Sequence, residues 1–176
     1  YIKRCNVNKN HKVSTIKPIE IVEVGGTPKY ISPVSVYPDK RRLSLNTAYG
    51  CNLGCQYCIL SSDQISGADH TRITKIASPE EIIQSMEGID CISDTFFTLQ
   101  DLSDPFLHTE DLLMLMAKLV KKGYKQKFLI TTKLNPKSGV YQQLHSIASS
   151  QLSVFVSFSG SSLASLEPLS IDNRLK

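Results

Sequence analysis

The sequence predicts an α/β fold in which parallel strands are joined by crossover helices, with the pattern clear from residue 42 onward. Three observations carry this. Short runs rich in β-branched and aromatic residues alternate with longer runs of helical apolar spacing. The helical runs carry start and stop signals of their own, such as Ser78-Pro79-Glu80-Glu81 and Gly123. The connections hold helices of about ten residues, and a chain that returns to lay a strand parallel to the last one needs a crossover of roughly that length or more.

Taken in order, residues 1–18 are polar and lysine-rich and read as a loosely ordered entry. Ile19 to Val24 followed by Gly25-Gly26 reads as a strand and turn. Tyr30 to Tyr37, broken by Pro33 and closed by Pro38, reads as an edge strand, because proline removes a ladder donor. Residues 1–41 therefore form an N-terminal extension, and 42–176 the core. Leu43 to Thr47 is a short strand. Ser78 caps a helix with Pro79 at its first position and Glu81 completing a capping box, and this helix ends near Gly88. The stretch from Cys91 to Leu99 contains a buried strand over Thr95 to Thr98. Thr109-Glu110-Asp111 caps a second helix whose Leu112, Leu113, Leu115, Met116, Leu119 and Val120 follow helical spacing, and Gly123 stops it. Phe128 to Thr132 is a strand, Val140 to Ala148 a helix, Leu152 to Phe158 a strand, and a last helix begins near Ile171. That makes four βα units. The chain starts at Tyr1 and stops at Lys176 just as that helix begins, so a piece of a longer protein is expected.

Composition bounds the function. A chain of 176 residues, 41% hydrophobic and 20% charged, has the profile of an ordinary globular domain with enough length for a core. No window approaches the length of apolar chain that a membrane span needs, and no leader pattern is seen, so the cytoplasm is the expected compartment and no membrane partner is expected. The net charge is +4, with basic groups at Lys40-Arg41-Arg42 and Lys121-Lys122. Neither is interleaved with aromatics and there is no tryptophan, so no stacking platform for bases is visible.

The chemistry lies in Cys51-Asn-Leu-Gly-Cys55-Gln-Tyr57-Cys58, which directly follows the first core strand. Three thiolates are one short of the four that a [4Fe–4S] cluster normally takes, which leaves one iron open for a small molecule. The competing reading is zinc. Structural zinc sites usually combine two ligand pairs, whereas Cys55 and Cys58 form one pair and neither Cys5, Cys91 nor the four histidines supply a second.

The C-x3-C-x2-C spacing with an aromatic before the last cysteine resembles the cluster loop of the radical S-adenosylmethionine (SAM) enzymes. Within that superfamily the pieces that follow the later strands resemble the spore photoproduct lyase-like branch: Leu102-Ser103-Asp104-Pro105, Ile130-Thr131-Thr132-Lys133, Val156-Ser157-Phe158-Ser159, and Glu167-Pro168 with Arg174. The resemblance covers residues 42–176. It implies a partial (β/α) barrel cut off after its fourth βα unit, a [4Fe–4S] cluster on Cys51, Cys55 and Cys58, and SAM on the open iron. It implies that Lys133 offers a cation to the SAM carboxylate, that Ser103 and Ser157 hydrogen-bond the cofactor, that Asp104 takes the place of the acid receiving its amino group, that Tyr57 packs near the adenine and that Arg174 binds the cofactor or pairs with Glu167. An electron donor such as flavodoxin or ferredoxin is implied too.

The expected activity is reductive cleavage of SAM to a 5′-deoxyadenosyl radical that takes hydrogen from a substrate, whether a peptide, a nucleic acid or a small metabolite. Thymine-lesion repair does not carry over, because the hydrogen-donating cysteine of that lyase has no counterpart between Thr98 and Asp104. The alternatives are a cluster-binding fragment without turnover and a zinc-binding interaction module. His108, next to a helix entry, reads as a surface histidine.

Overall fold

The computed structural model describes residues 22–24, 27–29, 31–36, 41–58, 60, 70–87, 89, 91 and 94–157. Strands β1 (Val22–Val24) and β2 (Thr27–Lys29) form an antiparallel hairpin. Its expected Gly25-Gly26 turn lies outside the described residues, as do Phe158, Ser159 and the helix expected near Ile171.

The centre is a five-stranded sheet in the order β3-β4-β7-β8-β9. Its members are β3 (Val34–Val36), β4 (Arg42–Leu45), β7 (Phe96–Leu99), β8 (Lys127–Thr132) and β9 (Leu152–Val156). The last four are parallel, and β3 runs antiparallel along the edge of β4. β3 therefore belongs to the core sheet, although the sequence assigned it to the extension. The parallel strands lie side by side in chain order, without the reversal that marks a doubly wound sheet. Right-handed crossovers between strands in that order put every helix on the same face. No closed barrel is formed among the described residues.

The connecting helices are α1 (Pro79–Met86), α2 (Thr109–Lys121) and α3 (Val140–Ala148), with α2 packed between the other two. Side chains alternate across a strand. Leu43, Leu45, Phe97, Leu99, Phe128 and Ile130 thus all turn to the helices and meet Ile82, Met86, Leu112, Leu115, Met116, Leu119 and Leu144 in one core. Each such leucine or phenylalanine, fully removed from water, contributes about 1.5–3 kcal/mol. The other face of the sheet carries Arg42, Ser44, Phe96, Thr98, Leu129, Thr131, Ser153 and Phe155.

The helix starts follow different rules. At α1 the capping box forms as the sequence requires: Ser78 Oγ accepts from the Glu81 backbone, and Glu81 Oε2 accepts from the Ser78 N–H at 2.7 Å. At α2 the expected Thr109 cap is absent. A 3-10 turn over Pro105–His108 runs directly into the helix, and Thr109 Oγ1 instead donates to the Phe106 carbonyl at 3.1 Å. The capping residue is Asp104, at the start of that turn, where its carboxylate accepts from the Phe106 N–H at 3.0 Å. Three short strands were not read from the sequence: β2, and β5 (Ala48–Tyr49), which pairs antiparallel with β6 (Thr74–Lys75). This brings Thr74 and Lys75 back against the segment that leads into the cysteine loop. Among the described residues, no helix is long and apolar enough to cross a membrane.

Candidate functional site

The carboxyl ends of β4, β7, β8 and β9 converge, and each contributes a residue singled out in the sequence. The ends of β4 and β7 are locked together by buried polar side chains. Gln100 leaves β7 with φ +65, an uncommon left-handed backbone for a non-glycine residue. Its side chain accepts from the Thr47 N–H at 3.1 Å and donates to the Thr47 hydroxyl. Asn46 Oδ1 accepts from the Leu102 N–H at 3.1 Å, and Asn46 Nδ2 donates to Ser44 Oγ at 3.1 Å. Neither Gln100 nor Asn46 was singled out in the sequence; the signal was a polar residue closing a β-type run.

The cysteine loop leaves from this clamp. Gly50 has φ +91, and a Cβ there would stand 2.2 Å from the Arg72 carbonyl oxygen, so only glycine fits. The Gly50 N–H donates to the Leu102 carbonyl at 2.9 Å, and the Cys51 N–H to the His70 carbonyl at 2.7 Å. Cys51 and Cys58 are half-buried, Cys55 is buried, and none of the three is in a disulfide. Burial pushes the Cys51 thiol above its ordinary value, against opposing hydrogen bonds from the backbone at Leu53 and Asp104. The Asp104 contact sets Cys51 against the loop after β7. Among the described residues, no three histidine, cysteine or acidic side chains are gathered around a point where a single metal ion would sit.

Asp104 is buried and fully engaged with protein. Its oxygens accept from the Thr132 hydroxyl at 2.8 and 3.0 Å, from the Lys133 N–H at 2.8 Å and from the Phe106 N–H at 3.0 Å. The carboxylate thus ties the loop after β7 to the end of β8 and caps the 3-10 turn. Ser103 is buried next to it. Its Oγ lies 2.7 Å from the Gly50 carbonyl and 3.0 Å from His108 Nε2.

Lys133 reaches across the mouth. Its ammonium donates to the Tyr57 phenol oxygen at 2.5 Å and to Ser157 Oγ at 3.2 Å, and lies 4.9 Å from the centre of the Tyr57 ring. Ser157 is held in line with β8 by its N–H, which donates to the Thr132 carbonyl at 2.7 Å. Tyr57 is 44% exposed, so this trio rims the opening. Arg174, Glu167, Pro168 and Cys5 lie outside the described residues. Cys91 packs against the core.

No protein-family model, curated protein or solved structure matches this chain.

Six of the residues named from the sequence, Cys51, Tyr57, Ser103, Asp104, Lys133 and Ser157, are linked by contacts running across four strand ends, with Cys55 and Cys58 on the same loop. His108 was read as a surface histidine. The structure turns it inward, half-buried, onto Ser103. Burial holds its pKa below the ordinary value, against the raising effect of Asp111 and Asp104. An open hollow of about 580 Å³ lies at the opposite end of the sheet, where Phe96, Lys125, Lys127, Leu129, Ser153 and Phe155 line the amino ends of β7 to β9. It shares no residue with the cysteine site.

Proposed function

We propose that the chain is the core of a radical SAM enzyme, with Cys51, Cys55 and Cys58 holding a [4Fe–4S] cluster and Lys133, Ser157 and Tyr57 receiving SAM. The observation that supports it most is the placement of three cysteine thiols after the first parallel strand and a lysine ammonium after the third, bonded to Tyr57 of the cysteine loop. The donor set fits the group: three reduced sulfurs on one eight-residue loop match a cluster with one iron left for a ligand. Thiolates on such a cluster bind separate irons, so they need not crowd around one point as ligands of a single ion at about 2.3 Å do. When bound, the cluster supplies the open iron and the electron for reductive cleavage of SAM to methionine and a 5′-deoxyadenosyl radical.

The chain's own residues do the rest. Lys133 provides a fixed positive charge for a carboxylate, since burying an unpaired charge is expensive. Ser157 adds a hydroxyl at the same spot, and Tyr57 offers an apolar ring face beside the cluster loop. Asp104 acts through the backbone, fixing Lys133 relative to Cys51. The parallel strands in unbroken chain order are those a (β/α) barrel requires, and this chain supplies its first four.

Anaerobic reconstitution with iron and sulfide tests the reading. The expected product is a brown protein carrying about four irons per chain, which forms 5′-deoxyadenosine from SAM when supplied with dithionite or with reduced flavodoxin or ferredoxin. Iron and sulfide uptake without 5′-deoxyadenosine would leave a cluster-binding fragment. A colourless protein with stoichiometric zinc would overturn the proposal in favour of an interaction module.

A further inference from the structure

We propose that His108 is a positioning residue for the cysteine loop: through the Ser103 hydroxyl it holds the Gly50–Cys51 peptide, and with it the first thiolate, in place. The inference rests on the cluster reading for its purpose, though not for its geometry.

The Gly50–Cys51 peptide is bonded at both ends of its dipole. Its carbonyl accepts from Ser103 Oγ at 2.7 Å, and its N–H donates to the His70 carbonyl at 2.7 Å. The preceding N–H, that of Gly50, donates to Leu102 at 2.9 Å. A planar peptide held this way has little freedom to rotate, and it sets the direction of the Cys51 Cα–Cβ bond.

The Ser103 hydroxyl has one proton. A carbonyl oxygen can only accept, so the 2.7 Å contact with Gly50 takes that proton. The 3.0 Å contact with His108 Nε2 is then a bond in which the imidazole donates. This fixes the neutral tautomer as the Nε2–H form, and it leaves Ser103 unable to turn away without breaking two bonds. His108 is itself anchored, because it closes the 3-10 turn and opens α2, the longest helix among the described residues. The order of contact is rigid helix, imidazole, hydroxyl, peptide and thiol. Ser103 thus serves the loop rather than the cofactor directly.

Alkylation of the thiols in the purified, metal-free full chain, followed by mass spectrometry, reads this device without relying on turnover. His108→Leu removes the donor, His108→Gln keeps an N–H near the position of Nε2, and Ser103→Ala removes the relay while leaving the imidazole. Loss of one hydrogen bond from a loop predicts Cys51 alkylation faster by about fivefold relative to Cys58 in His108→Leu and Ser103→Ala, and close to the unsubstituted rate in His108→Gln. Equal Cys51-to-Cys58 ratios in all four proteins would overturn the inference, as would a rise shared by every cysteine, which is the mark of general loosening. If His108→Leu does not fold, Ser103→Ala against His108→Gln decides the matter. After reconstitution, His108→Leu and Ser103→Ala should also release iron to a chelator faster than His108→Gln. A wild-type chain that takes up no iron, yet shows the alkylation pattern, would remove the cluster reading and leave the clamp standing.

Discussion

The Lys133 ammonium sits 2.5 Å from the Tyr57 phenol oxygen and 4.9 Å from the centre of its ring, so the cation meets the aromatic side chain at its hydroxyl end. The contact joins residues 76 positions apart and spans the opening between the cysteine loop and the end of β8. Charge-assisted hydrogen bonds contribute about 1.5–3 kcal/mol. Lys133→Met should therefore weaken SAM binding by roughly 10- to 150-fold, while a half-exposed lysine at a strand end should leave the melting temperature almost unchanged. Tyr57→Phe keeps the ring face and removes only the hydroxyl, so its loss should be smaller. Equilibrium dialysis with labelled SAM on the reconstituted protein measures both. Equal binding by Lys133→Met and the unsubstituted chain would remove Lys133 from the site.

Asp104 should behave as a structural residue. Asn in its place would present an NH2 group to one of three donors, the Thr132 hydroxyl and the Lys133 and Phe106 N–H groups, and leave that donor buried and unpaired. The expected loss is about 1–3 kcal/mol in urea unfolding. Thr132→Val should lose less, because the two backbone donors remain, and the double substitution should fall short of the sum, since the two side chains share a bond. Full additivity would show that the carboxylate does not depend on Thr132.

Two glycines of the cysteine loop make a matched pair. Gly54 has φ +71 and open space where a Cβ would go, whereas at Gly50 that Cβ would press on the Arg72 carbonyl. Left-handed backbone costs a residue with a Cβ about 1–2 kcal/mol. Gly54→Ala should show only that strain. Gly50→Ala adds a clash with backbone that cannot swing aside, so it should destabilise clearly more and disrupt the pairing of β5 with β6. Thermal melts of the two variants side by side check this, and equal losses would contradict it.

Much of this was legible in the sequence, for identifiable reasons. The α1 start was readable because Ser78 and Glu81 form a reciprocal local pair, and the bounds of α3 because Val140, Leu144, Ile147 and Ala148 share one side. The three cysteines were readable because their spacing is local. The α2 start was placed at Thr109, but its capping role was misread, because Thr109 looks like a cap whereas the 3-10 turn from Pro105 had already begun the winding. The β5–β6 pair was invisible because two-residue strands have no periodicity, and Thr74 finds Tyr49 across 25 residues. The anchoring role of Asp104 and the inward turn of His108 are long-range properties as well: both depend on which strand ends lie adjacent, and only the sheet order supplies that.

His108 carries a pH dependence whose sign follows from its environment. Burial disfavours the charged imidazole, with Lys75 adding to that effect, while Asp111 and Asp104 favour it; the net effect is a folded-state pKa below the ordinary value of about 6.5. Above that value the side chain is neutral in both folded and unfolded chains and contributes no slope. As pH falls below it, the unfolded chain takes up a proton that the folded chain resists, so stability declines until the folded pKa is passed. The decline belongs to the region below pH 6.5, where carboxylates also begin to titrate. It is therefore isolated by difference: the fall in urea-unfolding free energy between pH 7.5 and pH 5.5 should be smaller in His108→Gln than in the unsubstituted chain. The same fall in both proteins would mean that the imidazole is not held neutral by the fold.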